Sequence, residues 1–288
     1  MENGRILIIG LGEIGYSNAE YMTSHGLKVD GYDISERAVQ RALSEGVIRN
    51  RVTDFSGYDC YIICISTHDP NNMARPRLDG IFDVAHRLSR EGKAGALFSI
   101  ESTITQGTSA RVIEILRHRM HVAHVPHRYY GEEKEEHGVQ QLRVLGGCEQ
   151  CCTNYAKRFY EGMLDIPVSV TNSVEIAELS KIVENAHRFV EIAFAEELKM
   201  VCDRCNIDFE DLRNAVNTKW NVEILEAREG IGGHCLPKDS QMLLEISGSA
   251  LNTGSIIERA KTIDQFYRRS IRRQTETTQS MAPQVRTG

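Results

Sequence analysis

The chain has 288 residues, more than one ordinary domain needs and a comfortable length for two. Hydrophobic residues make up 41% of it, enough for real cores, and the formal net charge of −6 excludes a global basic field that would attract nucleic acid or anionic membrane. No apolar run approaches the ~20 residues of a membrane span. Met1-Glu2-Asn3-Gly4 leads straight into a strand pattern and is no signal peptide. The expectation is a cytoplasmic protein whose eight cysteines are reduced thiols.

In chain order, residues 5–10 form a continuous apolar, β-branched run, the pattern of a strand buried on both faces. A helical pattern follows from about Glu13 to His25, then a strand at 27–33 and a helix at 35–45. Tyr58 to Ser66 is another buried strand, Leu78 to Arg90 a helix and Ala94 to Ile100 a strand. This alternation predicts an α/β fold, a doubly wound parallel sheet of the Rossmann type wrapped by helices.

After about residue 170 the pattern changes. Asn172 reads as a helix cap with Glu175 three residues on. From there to Cys205 there is neither Gly nor Pro, and apolar residues recur at helical spacing, which predicts a rod of roughly 50 Å. Such a rod suits an all-α domain built around it and a homodimer packed along it. Shorter helices are expected at about 209–214, at a segment entered through Pro237, and at 255–272. Arg268, Arg269, Arg272 and Arg273 read as a solvated helix face. The polar stretch 274–288 is expected to be a disordered tail. The predicted organisation is therefore 1–168 as a dinucleotide-binding domain, 169–273 as a helical domain, and the tail.

Gly10-Leu11-Gly12-Glu13-Ile14-Gly15 is GxGxxG set between a buried strand and a helix. The first glycine permits the tight turn, the second lets backbone approach a pyrophosphate, and the third lets helix pack on strand. The helix then offers its positive end to the phosphates. Asp33 ends the second strand eighteen residues after Gly15, where a carboxylate binds ribose hydroxyls and repels a 2′-phosphate. NAD is therefore expected over NADP, a preference that nearby Arg37 softens.

Cys148/Cys151 and Cys202/Cys205 have CxxC spacing, which raises a four-thiolate zinc site. The second pair ends a strongly helical stretch, the first follows a Gly-Gly turn at a helix start, and neither has a knuckle's glycines. No metal is expected.

Gly232-Gly233-His234-Cys235-Leu236-Pro237-Lys238-Asp239 carries more chemistry. Pro237 suits a first helical turn, so Cys235 falls just ahead of a helix N-terminus, where the dipole and Lys238 favour thiolate. The glycines admit a substrate or cofactor closely, and Asp239 is placed to act as a base or hold a water. Lys181 and Asn185 are spaced i, i+4 and share a helix face. They read either as a solvated lysine with a helical neighbour or as a cation and an amide donor aimed at an oxyanion.

Together these residues resemble the UDP-glucose/GDP-mannose dehydrogenase family. Seven segments carry the resemblance in series over roughly residues 5 to 267: Gly10–Gly15; Ile65-Ser66-Thr67; Ile100-Glu101-Ser102-Thr103 with Gly107-Thr108; Arg143-Val144-Leu145-Gly146-Gly147; Glu178-Leu179-Ser180-Lys181 with Asn185; Ala215-Val216-Asn217-Thr218; and the octet. The resemblance implies a four-electron oxidation of a primary alcohol on a sugar-like substrate to a carboxylate, with two NAD, through a thiohemiacetal and a thioester on Cys235. It implies oxyanion stabilisation by Lys181 and Asn185, water or proton handling by Asp239 and Thr103, cofactor contact by Thr67 and Lys238, and substrate against Gly232.

Two departures from the family pattern stand out. Family members continue for a further domain of on the order of 100 residues, so the expected substrate is smaller, bound differently, or completed by a partner. A family Pro-Glu pair is Pro126-His127 here, and a second family glutamate is absent too. His127 is a candidate replacement base, its ordinary pKa being near neutral, or simply a histidine packed beside Tyr129. Competing readings of the chain are a two-electron hydroxyacid or polyol dehydrogenase using Lys181 and Asn185, and a non-catalytic NAD-binding protein.

Overall fold

In a computed structural model, the described residues are 4–281 apart from 70, 73–75, 130–132, 134 and 249–253. The chain forms two compact units, Met1–Lys181 and Ile182–Gly288. The division falls thirteen residues later than the 168/169 boundary expected from sequence. The last short strand and the first two turns of the long helix belong with the sheet.

The first unit runs β1 (Arg5–Ile9), α1 (Glu13–Ser24), β2 (Lys28–Tyr32), α2 (Glu36–Ser44), β3 (Cys60–Ile63), α3 (Asp79–Glu91), β4 (Leu97–Ile100), α4 (Thr108–Ile115), β5 (His121–His124), β6 (Arg143–Gly147), α5 (Gln150–Leu164) and β7 (Val168–Val170). It ends in the start of α6 (Val174–Cys205). The strands form one sheet in the order β2-β1-β3-β4-β5-β6-β7, and Gly31 makes an isolated parallel bridge to Arg51 outside β2. The order reverses between β1 and β3, the switch point where open α/β sheets bind ligands.

β1 shows why the apolar runs are continuous. Ile6 and Ile8 enter one core with Val29, Ile62 and Phe159, while Leu7 and Ile9 enter the opposite core with Tyr61, Phe98 and Leu88. Helices cover both faces, so successive residues are all buried. The expected parallel sheet needs one correction, because β6 pairs antiparallel with β5.

The second unit holds the remainder of α6, then α7 (Phe209–Val216), α8 (Cys235–Ser247) and α9 (Ile256–Met281). Phe189, Ala193, Ile231 and Ala260 make one small core; Ala195, Cys202, Phe209 and Ile224 make another. Three sequence expectations change. α6 starts at Val174, so the residue preceding it is Ser173 and not Asn172. α9 runs to Met281, through a stretch expected to be a disordered tail; residues 282–288 lie outside the described residues. Arg268 is only partly solvated. Its Nε donates to Asp264 Oδ1 at 2.9 Å and its Nη2 to the Ile231 carbonyl, while Asp264 accepts the Ile231 N–H at 2.8 Å. This clamp from α9 holds the segment that leads to α8. Among the described residues, no helix is long and apolar enough to cross a membrane.

Candidate active site

The glycine-rich turn follows β1 at the switch point. Gly10 has φ +96°, and a Cβ there would lie 2.5 Å from the Cys64 carbonyl oxygen. A Cβ on Gly15 would lie 1.8 Å from the Gly10 carbonyl oxygen, so α1 approaches the turn as closely as backbone allows. Gly12 differs: nothing lies within 4 Å of a Cβ placed there. Gly12 is the N-cap of α1 with no side-chain cap, and Glu13 and Ile14 open the helix. The first-turn amides, which no side chain caps, can therefore serve an anion.

Asp33 sits just beyond β2. Its Oδ2 accepts the Leu11 N–H at 2.6 Å and its Oδ1 the Ser35 N–H at 2.7 Å, which fixes the carboxylate beside the turn. The adjoining cleft, about 740 Å³, is lined by Gly12, Glu13, Tyr16, Arg37, Arg41 and Tyr129 among others. Arg41, which sequence reasoning missed, lies over the Tyr16 ring at 4.2 Å. The Tyr16 hydroxyl is hydrogen-bonded to Glu45, which pushes its pKa up to about 12. Thr67 Oγ1 donates to the Thr103 carbonyl at 2.8 Å, tying together the loops at the carboxyl ends of β3 and β4.

Beneath these loops lies a buried ionic cluster. Glu101 accepts from Asn18 Nδ2 at 2.6 Å, Arg143 Nη1 at 2.8 Å and the Tyr160 hydroxyl at 2.7 Å. Arg143 Nη2 also donates to Asn18 Oδ1 at 3.2 Å and the Val139 carbonyl at 3.0 Å. His127 belongs to this cluster, with Nε2 at 3.1 Å from Asn18 Oδ1 and Nδ1 accepting the Tyr129 N–H at 3.0 Å. That pair of contacts requires the neutral Nε2–H tautomer. Burial, then the charges of Arg143 and Lys181, hold its pKa well below the ordinary value. A buried imidazole with both nitrogens engaged is a member of the cluster. It does not supply the substrate-facing base considered from sequence, and its packing edge-on to Tyr129 at 5.7 Å fits the other expectation.

Glu178 and the Gly146-Gly147 pair also act structurally. Glu178 accepts the Gly107 and Ser109 N–H groups, each at 2.7 Å, and so caps α4. A Cβ on Gly146 would lie 2.8 Å from Val174 Cα, and one on Gly147 2.4 Å from Thr153 N. Lys181 follows one turn later, half-buried.

In the second unit, Cys235 is the first residue of α8, and Pro237 lies in the first turn. The thiol is exposed. One turn on, Lys238 and Asp239 are buried; Lys238 Nζ lies 2.6 Å from Asp239 Oδ1, and Asp239 Oδ2 accepts from Asn185 Nδ2. Half-buried Asn185 and buried Lys238 thus converge on the buried Asp239 carboxylate, one by a hydrogen bond and the other by an ion pair, one turn from the thiol. Gly232 and Gly233 leave open space ahead of it, since a Cβ on either would meet nothing within 4 Å.

A glycine-rich turn at the switch point, a carboxylate beyond β2 and a following helical unit define an α/β protein of the Rossmann class. Comparison with known proteins narrows this. The UDP-glucose/GDP-mannose dehydrogenase family, central domain, matches residues 175–265. A UDP-N-acetyl-D-mannosamine dehydrogenase of Methanococcus vannielii is 28% identical over 267 residues, covering 85% of this chain and 62% of the relative. One from Pyrococcus horikoshii is 30% identical over 269 residues, covering 83% and 64%. A solved UDP-D-ManNAc dehydrogenase structure from Pyrococcus horikoshii superposes with a TM-score of 0.79 at 29% identity, covering 91% of this chain and 68% of that one. Over most of its length the chain is thus similar to members of the UDP-glucose/GDP-mannose dehydrogenase family, whose central-domain pattern its second unit carries. It spans just under two thirds of the length of these two curated relatives.

Proposed function

We propose that the chain carries out the NAD-dependent oxidation of a primary alcohol on a sugar-like, nucleotide- or nucleoside-linked substrate to a carboxylate. The observation that carries this reading is the exposed Cys235 thiol at the start of α8, one turn from the Asn185–Lys238–Asp239 triad. Similarity to the two UDP-N-acetyl-D-mannosamine dehydrogenases supports the substrate class.

The first unit suits the cofactor. The α1 amides would take the pyrophosphate, Asp33 the ribose hydroxyls, and Arg37 and Thr67 flanking parts of the nucleotide. Bound NAD would supply a hydride acceptor for each of two oxidations. In the second unit, the Cys235 sulfur attacks the aldehyde carbon left by the first oxidation, forming a C–S bond and an alkoxide. Lys181 and Asn185, one turn apart on α6, are the donors proposed for that oxygen. The second oxidation leaves a thioester, and water adds at its carbon, expelling the sulfur as thiolate with Asp239 and Thr103 handling the water's protons. Gly232 keeps the approach to the thiol clear, and Lys238 neutralises Asp239. His127 has no part in these transfers.

Two moles of NADH per mole of substrate, and a product with one more oxygen and two fewer hydrogens, are expected from a screen of nucleotide sugars, free sugars and glycosylated nucleosides. Cys235→Ser should abolish acid formation. Full acid formation by Cys235→Ala would refute the thioester, and one NADH per substrate would favour a simple two-electron dehydrogenase.

A homodimer along α6 is part of the same proposal. Ile176, Val183, Phe194 and Val201 are about half exposed and, at spacings of 7, 11 and 7, fall on one helix face. Light scattering should give twice the chain mass, and Phe194→Glu should shift it toward the monomer.

A further inference from the structure

The amino end of β5, where α5 packs against it, brings together soft donors that the proposed chemistry does not use. His121 opens β5, and Cys151 and Cys152 lie in the first turn of α5. One ligand atom from each of the three lies within 4.8 Å of the others. A tetrahedral zinc site with bonds of about 2.1 Å to nitrogen and 2.3 Å to sulfur needs ligand atoms roughly 3.5–3.8 Å apart. Closing the set therefore takes about an ångström, within reach of the exposed Cys151 side chain. A cavity of about 190 Å³, lined by these three residues with Glu149 and His118 among others, adjoins them.

Glu149 is the N-cap of α5, yet its carboxylate caps nothing. It turns to the cluster instead, with Oε2 3.5 Å from Cys151 Sγ and Oε1 3.2 Å from His118 Nδ1. We propose that His121, Cys151 and Cys152, with Glu149 as fourth donor, form a zinc site pinning the start of β5 to the start of α5.

The donor chemistry fits. Two sulfurs, an imidazole and a carboxylate suit zinc, and four protein ligands make a closed structural site. His121 is stacked on Tyr155 at 4.6 Å, which fixes the ring. The site lies at the amino end of β5, whereas the glycine-rich turn lies at the carboxyl end of the parallel strands, so it is separate from the dinucleotide cleft.

The test uses the reduced, metal-stripped full chain titrated with Zn²⁺ against a chromophoric chelator, and with Co²⁺ as a spectroscopic probe. One Zn²⁺ per chain is expected, with Co²⁺ giving a thiolate charge-transfer band and intense tetrahedral d–d absorption. Cys151→Ser and His121→Ala should each weaken binding by at least the ~10- to 100-fold that loss of an outer-shell partner costs. Cys205→Ser, an exposed thiol elsewhere, should leave it unchanged. Absence of stoichiometric binding, or affinity insensitive to both Cys151→Ser and His121→Ala, overturns the proposal. Because Cys151 is exposed, its serine variant keeps the test independent of a folding defect.

Discussion

Arg143→Met isolates the energetics of the buried cluster. Arg143 is 1% exposed and donates to Glu101, Asn18 and the Val139 carbonyl. Methionine fills much of its volume but leaves the Glu101 carboxylate facing only two neutral donors, Asn18 and Tyr160. Removing one partner of a buried ion pair costs about 3–5 kcal/mol. With a urea slope of about 2 kcal/mol/M, the midpoint of the first unit should fall by about 1.5–2.5 M. Nine of the ten tyrosines lie in that unit and the single tryptophan in the other, so near-ultraviolet tyrosine dichroism follows the right transition. Glu101→Gln placed on top should restore most of the loss, because no buried charge then stands alone. A midpoint shift below about 0.5 M, or an equal shift in the Glu101→Gln background, would refute the reasoning, since the cost would not come from an orphaned charge.

The last two glycines of the turn should separate binding from folding. Gly15→Ala drives a Cβ into the Gly10 carbonyl and should destabilise the first unit by several kcal/mol, read as lost thermal stability. Gly12→Ala meets open space, so stability should hold while NAD binding measured by calorimetry weakens by ~10-fold or more, one lost backbone hydrogen bond. Acid and alkali should act on different units. Burial, against one opposing backbone hydrogen bond, depresses His124 to about 3, below its unfolded value of about 6.5. Its stability contribution is present above about 6.5 and is lost as pH falls toward 3, up to on the order of 5 kcal/mol. Glu196 is the mirror case: burial, then Asp264, raises it to about 8 against the opposing pull of Arg268. Its contribution is present below about 4.5 and is lost as pH rises through 8. Hydrogen exchange across pH should show His124→Leu flattening the acid limb for sheet peptides and Glu196→Gln flattening the alkaline limb for α6 and α9 peptides. Unchanged profiles would show that these buried groups do not carry the linkage.

How much of this was legible in the sequence depends on how far apart the interacting residues lie. The glycine fingerprint between β1 and α1 was readable because a tight turn, a backbone approach and a helix N-terminus are properties of six adjacent residues. α6 was readable because more than thirty residues without Gly or Pro, apolar at helical spacing, favour a helix. The Cys235 octet was readable for the same local reason. The antiparallel entry of β6 was not, since strand direction is set by pairing with β5 and not by the strand's composition. The extension of α9 through Gln274–Met281 was missed because the stretch lacks apolar periodicity, although Gln and Glu are good helix formers.

What the sequence by itself determined was the local chemistry: a dinucleotide turn, a thiol at a helix start, a lysine and an amide one turn apart. Only the tertiary structure decided what distant polar residues do. His127 became part of a neutral, closed cluster because Asn18, Glu101 and Arg143 converge from separate elements. Arg268 became a clamp because α9 passes Ile231. His121 met Cys151 and Cys152 because the start of α5 packs against the start of β5. A buried polar group must find its partner wherever the fold brings one, so its role is fixed by neighbours in space that spacing along the chain does not reveal.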